Sequence, residues 1–202
     1  YFKSKENYNS LCLSKKFYNA FIDFDFILIY QLDAWVFSDK LDYWCKQEYD
    51  YVGAPFPENI GAYADEVRFT VVGNGGFSLR RVDSMMKLFE NLHFRLKNWS
   101  MIKEAYRERI SRNPIWWIYC LIRYAGYRNT INYLRKKSWE DHFFFEVARL
   151  TPFVKMPKPG KALEFSFEYR PAVAFIQNGN KLPMGCHGWP YIEYDEFWSK
   201  FI

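Results

Sequence analysis

The feature that most constrains this chain is a polar interruption in its most apolar stretch. Phe24-Asp25-Phe26-Ile27-Leu28-Ile29-Tyr30 is a near-continuous β-rich run, Gln31-Leu32-Asp33 breaks it, and Ala34-Trp35-Val36-Phe37 resumes it. A run apolar on both alternations reads as a strand buried on both faces, the kind found in parallel sheets covered by helices. A carboxylate inside so hydrophobic a stretch is costly unless it is paired or bound to a cation. Asp33 is therefore a turn cap, an Arg partner, or an oxygen ligand for Mg²⁺ or Mn²⁺, ions that favour carboxylates and bridge to substrate phosphates.

The rest of the chain alternates in kind. Residues 15–22 read as the end of an amphipathic helix, and Ser38 is placed to cap a short helix through Cys45. Tyr49–Val52 reads as a strand stopping at Gly53-Ala54-Pro55, and Phe69–Val72 as one ending in Gly73-Asn74-Gly75-Gly76. Phe77–Arg80 is extended, while Val82–His93 and Ser138–Leu150 are amphipathic and helical. The pattern predicts an α/β fold, a mixed but mainly parallel sheet flanked by helices. In such sheets ligands sit beyond the carboxyl ends of the strands. The segments 31–33, 53–55 and 73–76 all lie at strand ends, so they share one rim.

Three further segments carry chemistry. Gly73–Gly76 strips side chains from a loop except for Asn74; it is either a tight turn or a wall against which a sugar ring lies. No Lys-Ser/Thr follows, so it is not a P-loop. Ser138-Trp139-Glu140-Asp141 opens a helix: Ser138 and Asp141 have the spacing of a capping box, and acids beside aromatics also suit a general base facing a hydroxyl. Met184-Gly185-Cys186-His187-Gly188-Trp189-Pro190 holds a histidine in a glycine-flanked, aromatic loop, as a core hydrogen-bonder or a metal ligand.

Together, Ile29–Phe37, Asp50–Pro55, Val72–Arg80, Glu140-Asp141 and Leu182–Trp189 resemble a bacterial family of glycosyltransferase-like domains of the GT-A type. The likeness runs over nearly the whole chain. It implies that Asp33 is the metal-binding acid of a D-x-D motif whose first acid is here Gln31, and that His187 completes the site for Mn²⁺ or Mg²⁺. Asp141, or else Glu140, would be the base of an inverting reaction. Gln31, Asn74, Gly75 and Gly76 would meet substrate, with Trp35 and Trp189 as stacking surfaces. The partners so implied are a nucleotide-sugar donor and a glycan or lipid-linked acceptor, in bacterial surface polysaccharide synthesis. The likeness also implies a GT-A strand–helix unit ahead of residue 24 that is shortened or absent here. The rival reading is a non-catalytic glycan- or nucleotide-binding domain, or a membrane-surface module, which Gln31 suits.

Composition narrows the setting. The 202 residues fit one domain, 1–202, with residues 95–137 inserted as a basic, aromatic helical block. Between Arg95 and Lys137 lie eleven Lys/Arg and two Glu, against a net +5 for the whole chain, so the remainder is acidic. That block holds Trp99, Tyr106, Trp116, Trp117, Tyr119, Tyr124, Tyr127 and Tyr133, with a break at Asn113-Pro114. It reads as a helical hairpin with a solvated basic face, or as a segment lying on anionic lipid. Nucleic acid is disfavoured, because no RNA-binding signature accompanies it. No apolar run approaches the ~20 residues that span a bilayer. Cys12, Cys45, Cys120 and Cys186 form no CxxC pair, which points to a reducing compartment. The expected location is therefore cytoplasmic, peripheral at the inner face of the membrane.

Overall fold

The computed structural model describes residues 3–58, 67–96, 118 and 127–202. Helices α1 (Lys5–Cys12) and α2 (Lys15–Asn19) precede strands β1 (Phe26–Tyr30) and β2 (Ala34–Val36). There follow α3 (Leu41–Cys45), β3 (Tyr51–Gly53), β4 (Pro55–Pro57), β5 (Phe69–Val72), β6 (Phe77–Arg81) and α4 (Val82–Glu90). The last third carries α5 (Ile131–Lys137), α6 (Glu140–Leu150), α7 (Pro159–Ala162), β7 (Ser166–Phe167), α8 (Pro171–Gln177) and β8 (Gly185–His187).

The strands form three small sheets, ordered β1-β6-β3, β2-β8-β7 and β4-β5. Of these pairings only β7–β8 is parallel. The mainly parallel GT-A sheet expected from the sequence is thus not what forms; the fold is α/β only in the loose sense of mixed helices and short sheets. The reason is visible at β1. The neighbour of β1 is β6, which enters from the glycine loop beside the end of β1, pairs Tyr30 with Phe77 and runs back to Phe26↔Arg81, so the two strands lie antiparallel. Nor is β1 buried on both faces. It is the outer strand of its sheet, Ile27 alone is buried, and Phe24 and Tyr30 stay 64% and 51% exposed.

Antiparallel pairing nonetheless gathers the strand ends. Tyr30↔Phe77 and Gly53↔Ser78 put the ends of β1 and β3 and the start of β6 on one rim. There Gln31 N donates to Gly76 O (3.0 Å) and Asn74 N to Ala54 O (3.3 Å).

Alternation along the central strand β6 divides the core. Phe77 and Leu79 pack with Trp44, Val52 and Phe165 on one face. Ser78 and Arg80 point to the other face, where Tyr18, Tyr51, Met85, Leu88, Phe143, Phe144 and Val147 form the larger cluster between α2, α4 and α6. A third cluster around Phe167, Phe197 and Trp198 backs the β2-β8-β7 sheet. At roughly 25 cal/mol per Å² of apolar area, such aromatic burial is the main stabilising term.

Local signals shift several helix bounds. α3 begins at Leu41 after Lys40, without a side-chain cap from Ser38, and α4 ends at Glu90 rather than His93. Ser138 closes α5 instead of capping α6, whose N-cap is Trp139, so the capping box does not form. Most of the expected insertion 95–137, including Trp99, Tyr106, Trp116, Trp117, Tyr119, Tyr124 and the Asn113-Pro114 break, lies outside the described residues. Its described end is a 3₁₀ turn, Tyr127–Asn129, and α5, with Thr130 capping α5 through Tyr133 N (3.3 Å). Among the described residues no helix is long and apolar enough to cross a membrane, and Cys12, Cys45 and Cys186 are free thiols.

Candidate functional site

On the rim, Asn74 is the first organiser. It is buried, and its Oδ1 accepts from Gly76 N (3.1 Å) and Phe77 N (3.4 Å), which curls the glycine loop over the start of β6. Tyr51 OH donates to the carbonyls of Gly73 (2.8 Å) and Asn74 (3.0 Å) from below. A Cβ on Gly53 would strike Asn74 O, one on Gly75 would strike the Glu140 carboxylate, and one on Gly76 the His187 ring. These glycines are present because neighbours occupy the space, not because a positive φ requires them.

His187, at the end of β8, is brought to the same place by pairing with Ala34 of β2. Its Nδ1 lies 3.0 Å from Glu168 Oε1, and its Nε2 lies 3.0 Å from Gln31 Oε1 and 3.3 Å from Asp33 Oδ1. The second oxygen of Glu168 accepts from Asn74 Nδ2. Burial by itself lowers the imidazole's proton affinity, but the hydrogen bond and charge of Glu168, helped by Asp33 and Asp141, hold it above its ordinary value.

The third part is the start of α6. Glu140 is buried and paired with Arg80, which is fully buried, while Asp141 follows it on the glycine-loop side. Asp141 is pushed up to about 8, first by burial and then by the charge and hydrogen bond of Glu140 and the charge of Glu168. Trp35 and Trp189 meet edge to face with centroids 6.2 Å apart, and Trp189 continues to Tyr194 at 5.8 Å. Trp35 is 43% exposed, an open aromatic face on the strand that pairs with His187's strand.

The fold therefore brings Gln31, Asp33, Asn74, Gly75, Gly76, Glu140, Asp141 and His187 into one neighbourhood, with Trp35 and Trp189 at its edge. It separates the roles of the two acids at 140 and 141. Sequence reasoning missed Glu168 and Arg80. The signal for Glu168 was present: an acid between Phe167 and Tyr169 raises the same desolvation question as Asp33. Arg80 gave none beyond a cation in an apolar strand. Among the described residues no group of three or more His, Cys, Asp or Glu is arranged to hold a metal ion. The nearest approach is His187 with Asp33, supplemented by the Gln31 amide oxygen.

A family described as a protein of unknown function (DUF5672) matches residues 1–187. The chain belongs to that family. The DUF5672 match takes in both Asp33 and Asp141 and ends on His187, leaving Trp189 beyond it. No curated protein and no solved structure is detectably similar to the chain.

Proposed function

We propose that this DUF5672 chain is a glycosyltransferase that moves a sugar from a nucleotide-sugar donor to a hydroxyl of a glycan or lipid-linked acceptor. The observation that carries the reading is the convergence, across the Gly75-Gly76 loop, of a histidine–acid–amide set on one side and a buried acid of raised proton affinity, Asp141, on the other. Transfer needs both: a place for the leaving diphosphate and a base for the incoming hydroxyl.

The residues fit a divalent cation in one respect. Ligands at about 2.1 Å from an octahedral ion stand about 3.0 Å apart, and His187 Nε2 has Gln31 Oε1 at 3.0 Å and Asp33 Oδ1 at 3.3 Å. Glu168 on Nδ1 is the carboxylate–histidine support that metal-binding imidazoles use. Mn²⁺ or Mg²⁺ held by Asp33, His187 and Gln31 would supply charge neutralisation for the diphosphate. Asp141 takes the proton of the acceptor hydroxyl as its oxygen bonds to the anomeric carbon, and the bond to the diphosphate oxygen breaks with its electron pair leaving on the diphosphate. Glycine at 75 and 76 leaves room for the Glu140 and Asp141 carboxylates and the His187 ring to close on the loop from either side. Trp35 and Trp189 offer apolar faces to a pyranose ring.

A thermal-shift series of nucleotide sugars with and without Mn²⁺ tests the reading. Stabilisation by one nucleotide only in the presence of metal, and loss of transfer or donor hydrolysis in Asp33→Ala and Asp141→Ala, is expected. Metal-independent stabilisation by glycan with no turnover would favour the non-catalytic binding domain, which the amide at Gln31 suits. Attachment to the inner membrane surface through the 95–137 block is tested by flotation with liposomes with and without anionic lipid; salt-insensitive or absent binding removes it.

A further inference from the structure

Arg80 is the most deeply committed cation in the fold. It sits on the central strand β6 with no exposure, its Nη1 donates to Tyr18 OH (3.0 Å), its Nε to Ser78 Oγ (3.1 Å), and its Nη2 to Ser78 Oγ (2.9 Å) and Gly75 O (3.3 Å). The rings of Tyr51 and Phe144 lie 5.1 and 5.2 Å from its central carbon. Its one ion pair among the described residues is with Glu140. A buried guanidinium without a carboxylate is costly, so this pairing holds Glu140 firmly in place.

Glu140 is also held by its backbone, whose N–H donates to Asn9 Oδ1 (2.6 Å) on α1. Asp141, one residue on, has no such clamp among the described residues. Yet both carboxyls reach the same spot: the position of a Cβ on Gly75 is met by Glu140 and by Asp141 Oδ1. Two acids so close resist ionising together, and a fixed cation decides which keeps the proton.

We infer that Arg80 is a positioning residue that divides the work of the two adjacent acids: it pins Glu140 as a fixed structural partner and leaves Asp141 as the member of the pair that exchanges a proton with a bound ligand. The inference rests on the transferase reading only for the identity of that ligand's hydroxyl. The groups facing Asp141 come from every element around it: Glu140 on α6, Arg80 on β6, Tyr51 on β3, Glu168 and Tyr169 after β7, and His187 on β8. Of these, Glu140 and Glu168 raise its proton affinity and Arg80 lowers it.

The test is a carboxyl-detected ¹³C NMR titration of the full chain, in which Asp and Glu carboxyl carbons are distinguished, for wild type, Glu140→Gln and Arg80→Gln. In wild type the high-titrating carboxyl is expected to be Asp141. In Glu140→Gln, which keeps the shape of the clamp, the Asp141 midpoint should fall by at least one pH unit. In Arg80→Gln, which removes the cation opposing protonation, the Asp141 midpoint should rise further. An Asp141 midpoint in the ordinary carboxylate range in wild type, or one unmoved in Glu140→Gln, overturns the inference. So does a folded Arg80→Gln protein in which the Asp141 midpoint does not rise. If Arg80→Gln does not fold, the Glu140→Gln arm alone decides. No substrate is present, so absence of sugar transfer leaves these outcomes readable.

Discussion

The Nε2 of His187 faces the Oε1 of Gln31 at 3.0 Å while Nδ1 faces Glu168. With Nδ1–H donating to Glu168, a neutral ring would point a lone pair at the Gln31 and Asp33 oxygens. A second proton, a cation, or the Gln31 amide turned to present its NH₂ resolves that encounter.

This gives the first prediction. Proton affinity of His187 is raised, so the stability its protonated form confers is present at low pH and is lost as pH rises through the raised value. A metal displaces that proton. Mn²⁺ should therefore raise Tm more at pH 8 than at pH 6, and Gln31→Glu, by restoring a second acid, should tighten Mn²⁺ about tenfold by calorimetry. Equal, negligible Mn²⁺ effects in both proteins at pH 8 would remove the metal reading.

A second prediction concerns Asp141. Its folded-state value, about 8, lies above the ordinary 3.8. The folded protein thus holds a proton that the unfolded chain releases, and stability is lost as pH climbs from about 4 to about 8. Asp141→Asn removes the effect. Its Tm advantage over wild type should grow steadily across that window. Sugar transfer by the wild type should rise with pH to a plateau above about 8, because the base must be ionised. A constant Tm difference from pH 5 to 8.5 refutes the assignment.

The glycine loop supplies a third. A Cβ at Gly76 has the His187 ring in its place, whereas one at Gly160, in α7, meets nothing within 4 Å. Gly76→Ala should cost about 2 kcal/mol or more by denaturant unfolding and abolish any Mn²⁺ response. Gly160→Ala should instead stabilise by about 0.5–1 kcal/mol. The contrast, rather than either value, is the check.

Which residues the fold gathers at the candidate site was largely legible, and the direction of its strands was not. Asp33, Asn74, Asp141 and His187 stood out because polar groups and glycines inside apolar runs demand local explanations, and those demands survive any topology. Strand direction is different. The run Phe24–Tyr30 is apolar on both alternations, which suggested double burial, yet Phe24 and Tyr30 are exposed on an outer strand. Residues 31–33, 53–55 and 73–76 share a rim under either reading, since an antiparallel β6 starts where β1 and β3 stop. Ser138 shows the limit of short motifs: a capping-box spacing was met, and Ser138 instead terminates α5.

A fourth prediction follows from Trp35, 43% exposed and edge to face with Trp189. Trp35→Ala should leave Tm within a degree or two, since an exposed ring contributes little to the core. It should weaken acceptor-glycan binding by tenfold or more, read by glycan-array or calorimetric titration. Undiminished glycan binding would take the ring out of the site.

The contact between Gln31 and His187 joins positions 156 residues apart, and Asn74 to Glu168 spans 94. Contacts of that sequence separation are slow to form, since long loops must close first. The candidate site is consequently gathered late in folding, from segments far apart in the chain. A nascent or truncated polypeptide would hold helices and a hydrophobic core before Gln31, Asn74, Glu168 and His187 met, which waits on the docking of β8.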